Sequence, residues 1–192
     1  PSLALPECAA QAEDICFEID PDISLTCRFF FSAKDAPTLL YYYAGNESIS
    51  SVTEIAEGYN TSGVNVLLIS MRGYDGNPGS PSFTTMISDA QTLFSPIAEW
   101  LTNQEYSGAL FVLGRSIGSV VALETVLNNA EKIRGLIIES GINGTESFLK
   151  ALGVDPGLLN FSEEEGFNII EKIEQIKMID TSFLNNQPKE FT

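Results

Sequence analysis

The feature that most limits how this chain can fold is a series of short, nearly unbroken apolar runs separated by longer amphipathic stretches. PTLLYYY (37–43), NVLLIS (65–70), ALFVL (109–113) and RGLIIES (134–140) show no polar alternation. Runs of that kind suit strands covered on both faces. Between them, Val52, Ile55, Ala56 and Tyr59 recur at helical spacing within 49–59, and Ile87, Ala90, Leu93, Phe94 and Ile97 do so within 82–101. Residues 117–128 repeat the helical pattern directly after ALFVL. Pro96 predicts an interruption or re-entry in the long helical stretch, because proline removes a helix hydrogen bond.

Buried strands alternating with helices predict a mostly parallel, twisted sheet inside a three-layer α/β/α sandwich. The first strands differ. ICFEI (15–19) and SLTCRFFF (24–31) are joined by Asp20-Pro21-Asp22-Ile23. That link is too short for a helical crossover, so the pair is expected as an antiparallel hairpin. Beyond Gly141, residues 148–152, 156–159 and 167–179 read as helical pieces with no further strand, and 185–192 as a polar tail. With 192 residues, one domain over 1–192 is expected.

Charge and cysteine usage narrow the partners. Ten basic against 26 acidic residues give a formal charge of −16, which repels phosphate backbones and argues against nucleic acid. No apolar stretch approaches the ~18 residues of a membrane span. The opening residues lack a basic segment ahead of their apolar positions, so a cytoplasmic protein is expected. Sequons at Asn46, Asn60, Asn143 and Asn160 matter only in a secretory setting. Cys8, Cys16 and Cys27 have no metal-ligand spacing, and the chain contains no histidine. They read as buried or half-buried thiols, and neither a metal nor a cofactor is implied.

Gly114-Arg115-Ser116-Ile117-Gly118 fits G-x-S-x-G at the junction of an apolar run and a helical pattern. The spacing calls for a sharp strand-to-helix turn with Ser116 at its tip and glycines where side chains would collide with neighbouring elements. Such a turn exposes the Ser116 hydroxyl as a nucleophile. It also aims the Ile117 N–H at the reaction centre as an oxyanion donor. A serine N-cap opening an ordinary helix is the simpler alternative. The loop after the first parallel strand, Ala44-Gly45-Asn46, is where a second donor, the Asn46 N–H, would come from, with Gly45 lining the site; the simpler alternative makes Asn46 a helix cap or turn residue before Ile49. Arg115 is a candidate for contact with a substrate carboxylate, or for an ion pair with Glu124. Glu139 either touches the site or makes a structural hydrogen bond. Arg72 is expected to anchor its loop through backbone carbonyls or Asp89, Asp75 to be a turn residue, and Lys172 and Lys177 to pair with Glu171 and Glu174. No G-x-G-x-x-G occupies a strand-to-helix turn, which excludes a dinucleotide-binding Rossmann reading.

YYYAGN, LLISMRGYDGNPGSPS, VLGRSIGSVVALE and GLIIESG follow one another in that order between residues 37 and 141. Together they resemble the oxyanion loop, the RGYG-type loop, the nucleophile elbow and the next strand of the α/β-hydrolase superfamily, in a compact member. The resemblance implies an eight-stranded mostly parallel sheet, a Ser-His-Asp/Glu triad and hydrolysis of a small-molecule acyl substrate through an acyl-enzyme. It also places residues 142–166 where family members carry a helical cap over the site, although packing of helices on the sheet would equally explain their apolar character. Two departures stand out. Ala44 occupies the place of the family's loop histidine. The strands that would carry the acid and the histidine are not recognisable, so the chain reads as an incomplete α/β-hydrolase fold, C-terminally truncated. Two readings therefore stand: a serine hydrolase whose general base is missing from these residues, and an inactive hydrolase-like binding module. In the second, the open sheet edge would pair with a partner or a second copy.

Overall fold

The computed structural model describes residues 11–144, positions 146, 149, 155, 172, 173 and 176, and a final strand at 180–184. Cys8, most of the cap-like region, most of the helical pieces expected after 147, and the polar tail lie outside the described residues.

The chain runs β1 (Ala12–Asp20), β2 (Ile23–Phe30), β3 (Thr38–Tyr42), α1 (Ile49–Thr61), β4 (Asn65–Leu68), α2 (Phe83–Asn103), β5 (Leu110–Arg115), α3 (Gly118–Asn128), β6 (Ile133–Glu139) and β7 (Asp180–Leu184). The strands form one sheet in the order β1-β2-β4-β3-β5-β6-β7. β1 and β2 form the expected antiparallel hairpin, and β2 lies antiparallel to β4. Every other pair is parallel.

The apolar runs alternate their side chains between two cores. On one face Leu40, Tyr42, Leu67, Val112, Leu136 and Ile138 pack with residues of α2 and α3. On the other, Leu39, Tyr41, Tyr43, Val66, Leu68 and Leu113 pack with Ile49, Val52 and Ala56 of α1. This is the three-layer sandwich, with successive residues of each central strand buried on opposite sides. Ile55, expected on the buried face of α1, is instead 39% exposed. The buried stripe of that helix is narrower than its hydrophobic residues suggest. Both α1 and α2 begin with capping boxes, at Ser48/Ser51 and Ser82/Thr85. Each cap satisfies backbone N–H groups that a helix start leaves open.

Two expectations need correction. α2 passes through Pro96 without interruption. Its turns are held by Leu93, Phe94, Ile97 and Leu101, all buried on one face on either side of the proline. That burial outweighs the single hydrogen bond proline removes. The second concerns the sheet, which does not stop at β6. β7 pairs parallel to it, Gly135 opposite Asp180 through Glu139 opposite Leu184. Asp-Thr-Ser-Phe-Leu carries no unbroken apolar run, so a periodicity reading passes over it.

Candidate active site

Ser116 stands at the turn between β5 and α3 with φ of +52°, in the left-handed region that non-glycine residues rarely occupy. The glycines on either side explain how the turn closes. A Cβ on Gly114 would sit 2.6 Å from both Ser119 Cα and Ala122 Cβ, and one on Gly118 would sit 2.2 Å from the Tyr42 carbonyl oxygen. The helix is therefore pressed directly onto β3 and β5.

The N-cap of α3 is Ile117, with no side-chain cap bond, so Ser116 is not the ordinary N-cap of the simpler alternative. Among the described residues the Ser116 hydroxyl makes no hydrogen bond. Its main chain is held from two directions. Its N–H donates to the Glu139 carbonyl at 3.0 Å, and its carbonyl accepts from Ser119 N–H at 3.0 Å and from the Ser119 hydroxyl. The Ser119 hydroxyl in turn accepts from Ile142 N–H at 3.3 Å, tying the turn to the segment after β6.

The Ala44–Glu47 loop leaves the end of β3 beside this turn. A Cβ on Gly45 would lie 3.1 Å from Ile117 Cγ2 and 3.3 Å from the Tyr74 hydroxyl, so the loop, the elbow and the β4–α2 loop meet there. Gly45 and Asn46 are both exposed. The loop is closed by Glu47 N–H donating to the Ala44 carbonyl at 2.9 Å and Ala44 N–H donating to Glu47 Oε2 at 2.8 Å.

Arg115 connects loop and elbow. Its Nη1 donates to Glu47 Oε1 at 2.8 Å, and its Nη2 lies 3.3 Å from Glu139 Oε1. Burial works against the guanidinium charge, but the Glu47 and Glu139 carboxylates outweigh it and raise the Arg115 pKa. The Tyr41 phenol lies beneath the same group. Burial first, then the Glu47 charge, push its pKa up to about 12, so it stays neutral at physiological pH.

Residues 40–152, more than half of the chain, match the model of the serine aminopeptidase S33 family. The chain belongs to this α/β-hydrolase family. Protein bem46 of Schizosaccharomyces pombe is 28% identical over 161 residues, covering 83% of this chain and 53% of its own length. An uncharacterized Mycobacterium tuberculosis protein is 35% identical over 82 residues, which are 42% of this chain and 27% of that protein. The chain thus spans about half the length of bem46. Its fold is shared by the Pyrococcus furiosus esterase Pf2001, with a TM-score of 0.70 at 17% identity over 94% of this chain and 74% of that one. An α/β hydrolase from Vibrio vulnificus gives 0.69 at 18% identity, covering 86% and 60%.

In this family member the expected residues Gly45, Asn46, Arg115, Ser116, Ile117 and Glu139 fall at one end of the sheet, at and beside the ends of β3, β5 and β6. Several partners differ from expectation. Arg115 binds Glu47 and Glu139 rather than Glu124, because the Arg115 side chain leaves the end of β5 toward the loop while Glu124 lies in the second turn of α3, on its packed side. Glu124 pairs instead with Lys172, which was expected to face Glu171 and Glu174.

Arg72 does hold its loop through Asp89, with Nε to Oδ2 at 2.7 Å. Asp75 is more than a turn residue: its carboxylate accepts from the Tyr43 and Ser70 hydroxyls and from Ile49 N–H. It thereby joins the ends of β3 and β4 to the start of α1. Sequence reasoning did not single out Glu47, Ser119 or Tyr74. The only signal for Glu47 was an acid three residues after Ala44, a spacing that closes a turn. Among the described residues no group of three or more His, Cys, Asp or Glu could hold a metal ion, and no helix is long and apolar enough to cross a membrane.

Proposed function

We propose that this family member is a serine acyl hydrolase in which Ser116 attacks the carbonyl carbon of an ester, thioester or small amide. The oxygen that becomes negative is held by the N–H groups of Ile117 and Asn46. The single observation that carries this reading is the left-handed backbone of Ser116, locked between two glycines that tolerate no Cβ. Strain of this order, about 1–3 kcal/mol, persists only where the surroundings impose it, and it lifts the hydroxyl clear of the helix end.

Attack forms a tetrahedral intermediate whose oxyanion lies at the N-terminus of α3, where the helix dipole and free N–H groups favour negative charge. Collapse expels the alcohol, thiol or amine and leaves an acyl-Ser116, which water then hydrolyses. Both steps require a proton acceptor, because a serine hydroxyl is a weak nucleophile at neutral pH. These residues contain no histidine, so in this reading the base is supplied from outside them. The esterases among the structural neighbours make an ester the first substrate to try.

The test is covalent labelling of the full chain by a fluorophosphonate, read by mass spectrometry, with free imidazole added in place of the missing base. Adduct at Ser116 that increases with imidazole and is absent in Ser116→Ala supports the reading. A chain that labels no faster than Ser116→Ala overturns it in favour of an inactive, hydrolase-like binding module. That second reading draws on the lack of histidine and on β7, which pairs on one side only among the described residues.

A further inference from the structure

Two N–H groups can stabilise one oxyanion only if the segments carrying them keep their separation to a fraction of an ångström. Ile117 is rigid, since it opens a buried helix. Asn46 is not obviously so: it sits in an exposed turn, and the methyl group of Ala44 offers the turn no polar anchor. The anchor comes from Glu47. One oxygen of its carboxylate accepts the Ala44 N–H at 2.8 Å, and the other accepts Arg115 Nη1 at 2.8 Å. Arg115 is the residue before Ser116 and is braced on its far side by Glu139, whose main-chain carbonyl holds the Ser116 N–H. The bonds therefore run without a break from the loop through the elbow to the end of β6. The participating side chains are largely shielded, at 19% exposure for Glu47, 30% for Arg115 and 20% for Glu139.

We propose that Glu47 is the positioning residue of the oxyanion loop, with Arg115 as the strut that transmits its hold to the nucleophile. This rests on the reading of Ser116 and Asn46 given above. A guanidinium between two carboxylates has its charge already matched, so its role is to set the distance between loop and elbow rather than to bind an anionic substrate. The division of labour within one carboxylate also explains why the loop works without a polar side chain at position 44.

Two measurements on the full chain test the proposal. The first is amide hydrogen exchange, which needs no chemistry at Ser116. In Glu47→Ala, exchange across Ala44–Asn46 should rise at least ~10-fold while the protection of α1 and α3 is unchanged. Arg115→Met should reproduce the effect, and the double variant should be no worse than either single one, as expected of one coupled unit.

The second is fluorophosphonate labelling of Ser116 in the presence of imidazole. The limiting rate should fall about 10- to 100-fold in Glu47→Ala with the half-saturating probe concentration unchanged, the scale expected for a misplaced catalytic group. Glu47→Gln, which keeps an acceptor for one of the two bonds, should fall between. Unchanged exchange, additive effects of the two single variants, or a loss confined to probe affinity would each overturn the proposal. So would faster exchange with an unchanged limiting rate. A wild-type chain that never labels overturns the hydrolase reading instead, and the exchange pattern still decides whether Glu47 holds the loop.

Discussion

The main-chain N–H of Ser116 is bonded to the carbonyl of Glu139 at 3.0 Å, so the tip of the turn after β5 is fastened to the last residue of the neighbouring strand. The turn cannot relax by unwinding toward solvent, because doing so would leave that carbonyl and the partners of Ser119 unsatisfied. The left-handed conformation of Ser116 is thus imposed by what surrounds it, and replacements at 116 should read out the strain directly.

Ser116→Gly should be more stable than Ser116→Ala by about 1 kcal/mol, since glycine alone enters the left-handed region without a Cβ penalty. Urea denaturation of the two variants checks this. Equal stability would mean that the turn relaxes when the hydroxyl is removed. Neither variant should form a fluorophosphonate adduct at this position.

Gly118→Ala should cost about 3 kcal/mol or fail to fold, because the added methyl would meet the Tyr42 carbonyl oxygen at 2.2 Å and the Tyr43 carbonyl oxygen at 2.7 Å. These are backbone atoms of a central strand and cannot step aside. Gly76→Ala serves as the comparison: it has positive φ but open space around it, so only the smaller conformational cost of about 1 kcal/mol applies. Thermal melts of the two variants should separate them clearly.

Asp89→Asn should destabilise the protein by about 2 kcal/mol, because the shielded Arg72 guanidinium would keep only its more exposed carboxylate partner, Asp20, at 3.1 Å. Asp89 and Arg72 side chains are only 6% and 11% exposed. The pair also fastens the β4–α2 loop, whose Tyr74 hydroxyl lies near Gly45. Limited proteolysis should therefore cut within 73–80 sooner in this variant than in the wild type, at a temperature where both remain folded.

Alkaline pH should weaken the fold from about pH 9 upward. Cys27 is fully buried, and burial pushes its thiol from an ordinary 9.0 up to about 12. The folded protein keeps a proton that the unfolded chain releases in that window. The stability linked to Cys27 is complete below pH 9 and is lost as pH rises toward 12, by about 1.4 kcal/mol per pH unit. Urea midpoints at pH 8 and pH 10 measure the slope, and Cys27→Ala should be less stable at pH 8 but flatter across the interval.

The central strands could be read from the chain because burial on both faces leaves a trace that no solvent-facing segment shares. Leu39-Leu40-Tyr41-Tyr42 has no polar face, and the structure buries it against α1 on one side and α2 and α3 on the other. The same rule failed for β7, where Asp180, Thr181 and Ser182 interrupt the pattern, and for Pro96, where burial of the flanking turns outweighs local propensity.

The elbow was legible from Gly114 and Gly118, since close approach of backbones demands glycine. The partners of Arg115 were not. Glu47 is 68 positions away in sequence and meets Arg115 only because β3 and β5 are neighbours in the sheet. Ion pairs of this kind follow from strand order, which local sequence does not encode.

The order β1-β2-β4-β3-β5 has a consequence for the growing chain. β2 and β3 are consecutive in synthesis yet never touch: β4 lies between them, antiparallel to one and parallel to the other. Until residues 65–68 have left the ribosome, the hairpin and β3 are separate fragments with exposed edges. Insertion of Val66, Leu67 and Leu68 then joins them at once. β4, the shortest strand among the described residues, is therefore the keystone of assembly, and the Ser116 turn more than forty residues later is built onto an arch that this strand has already closed.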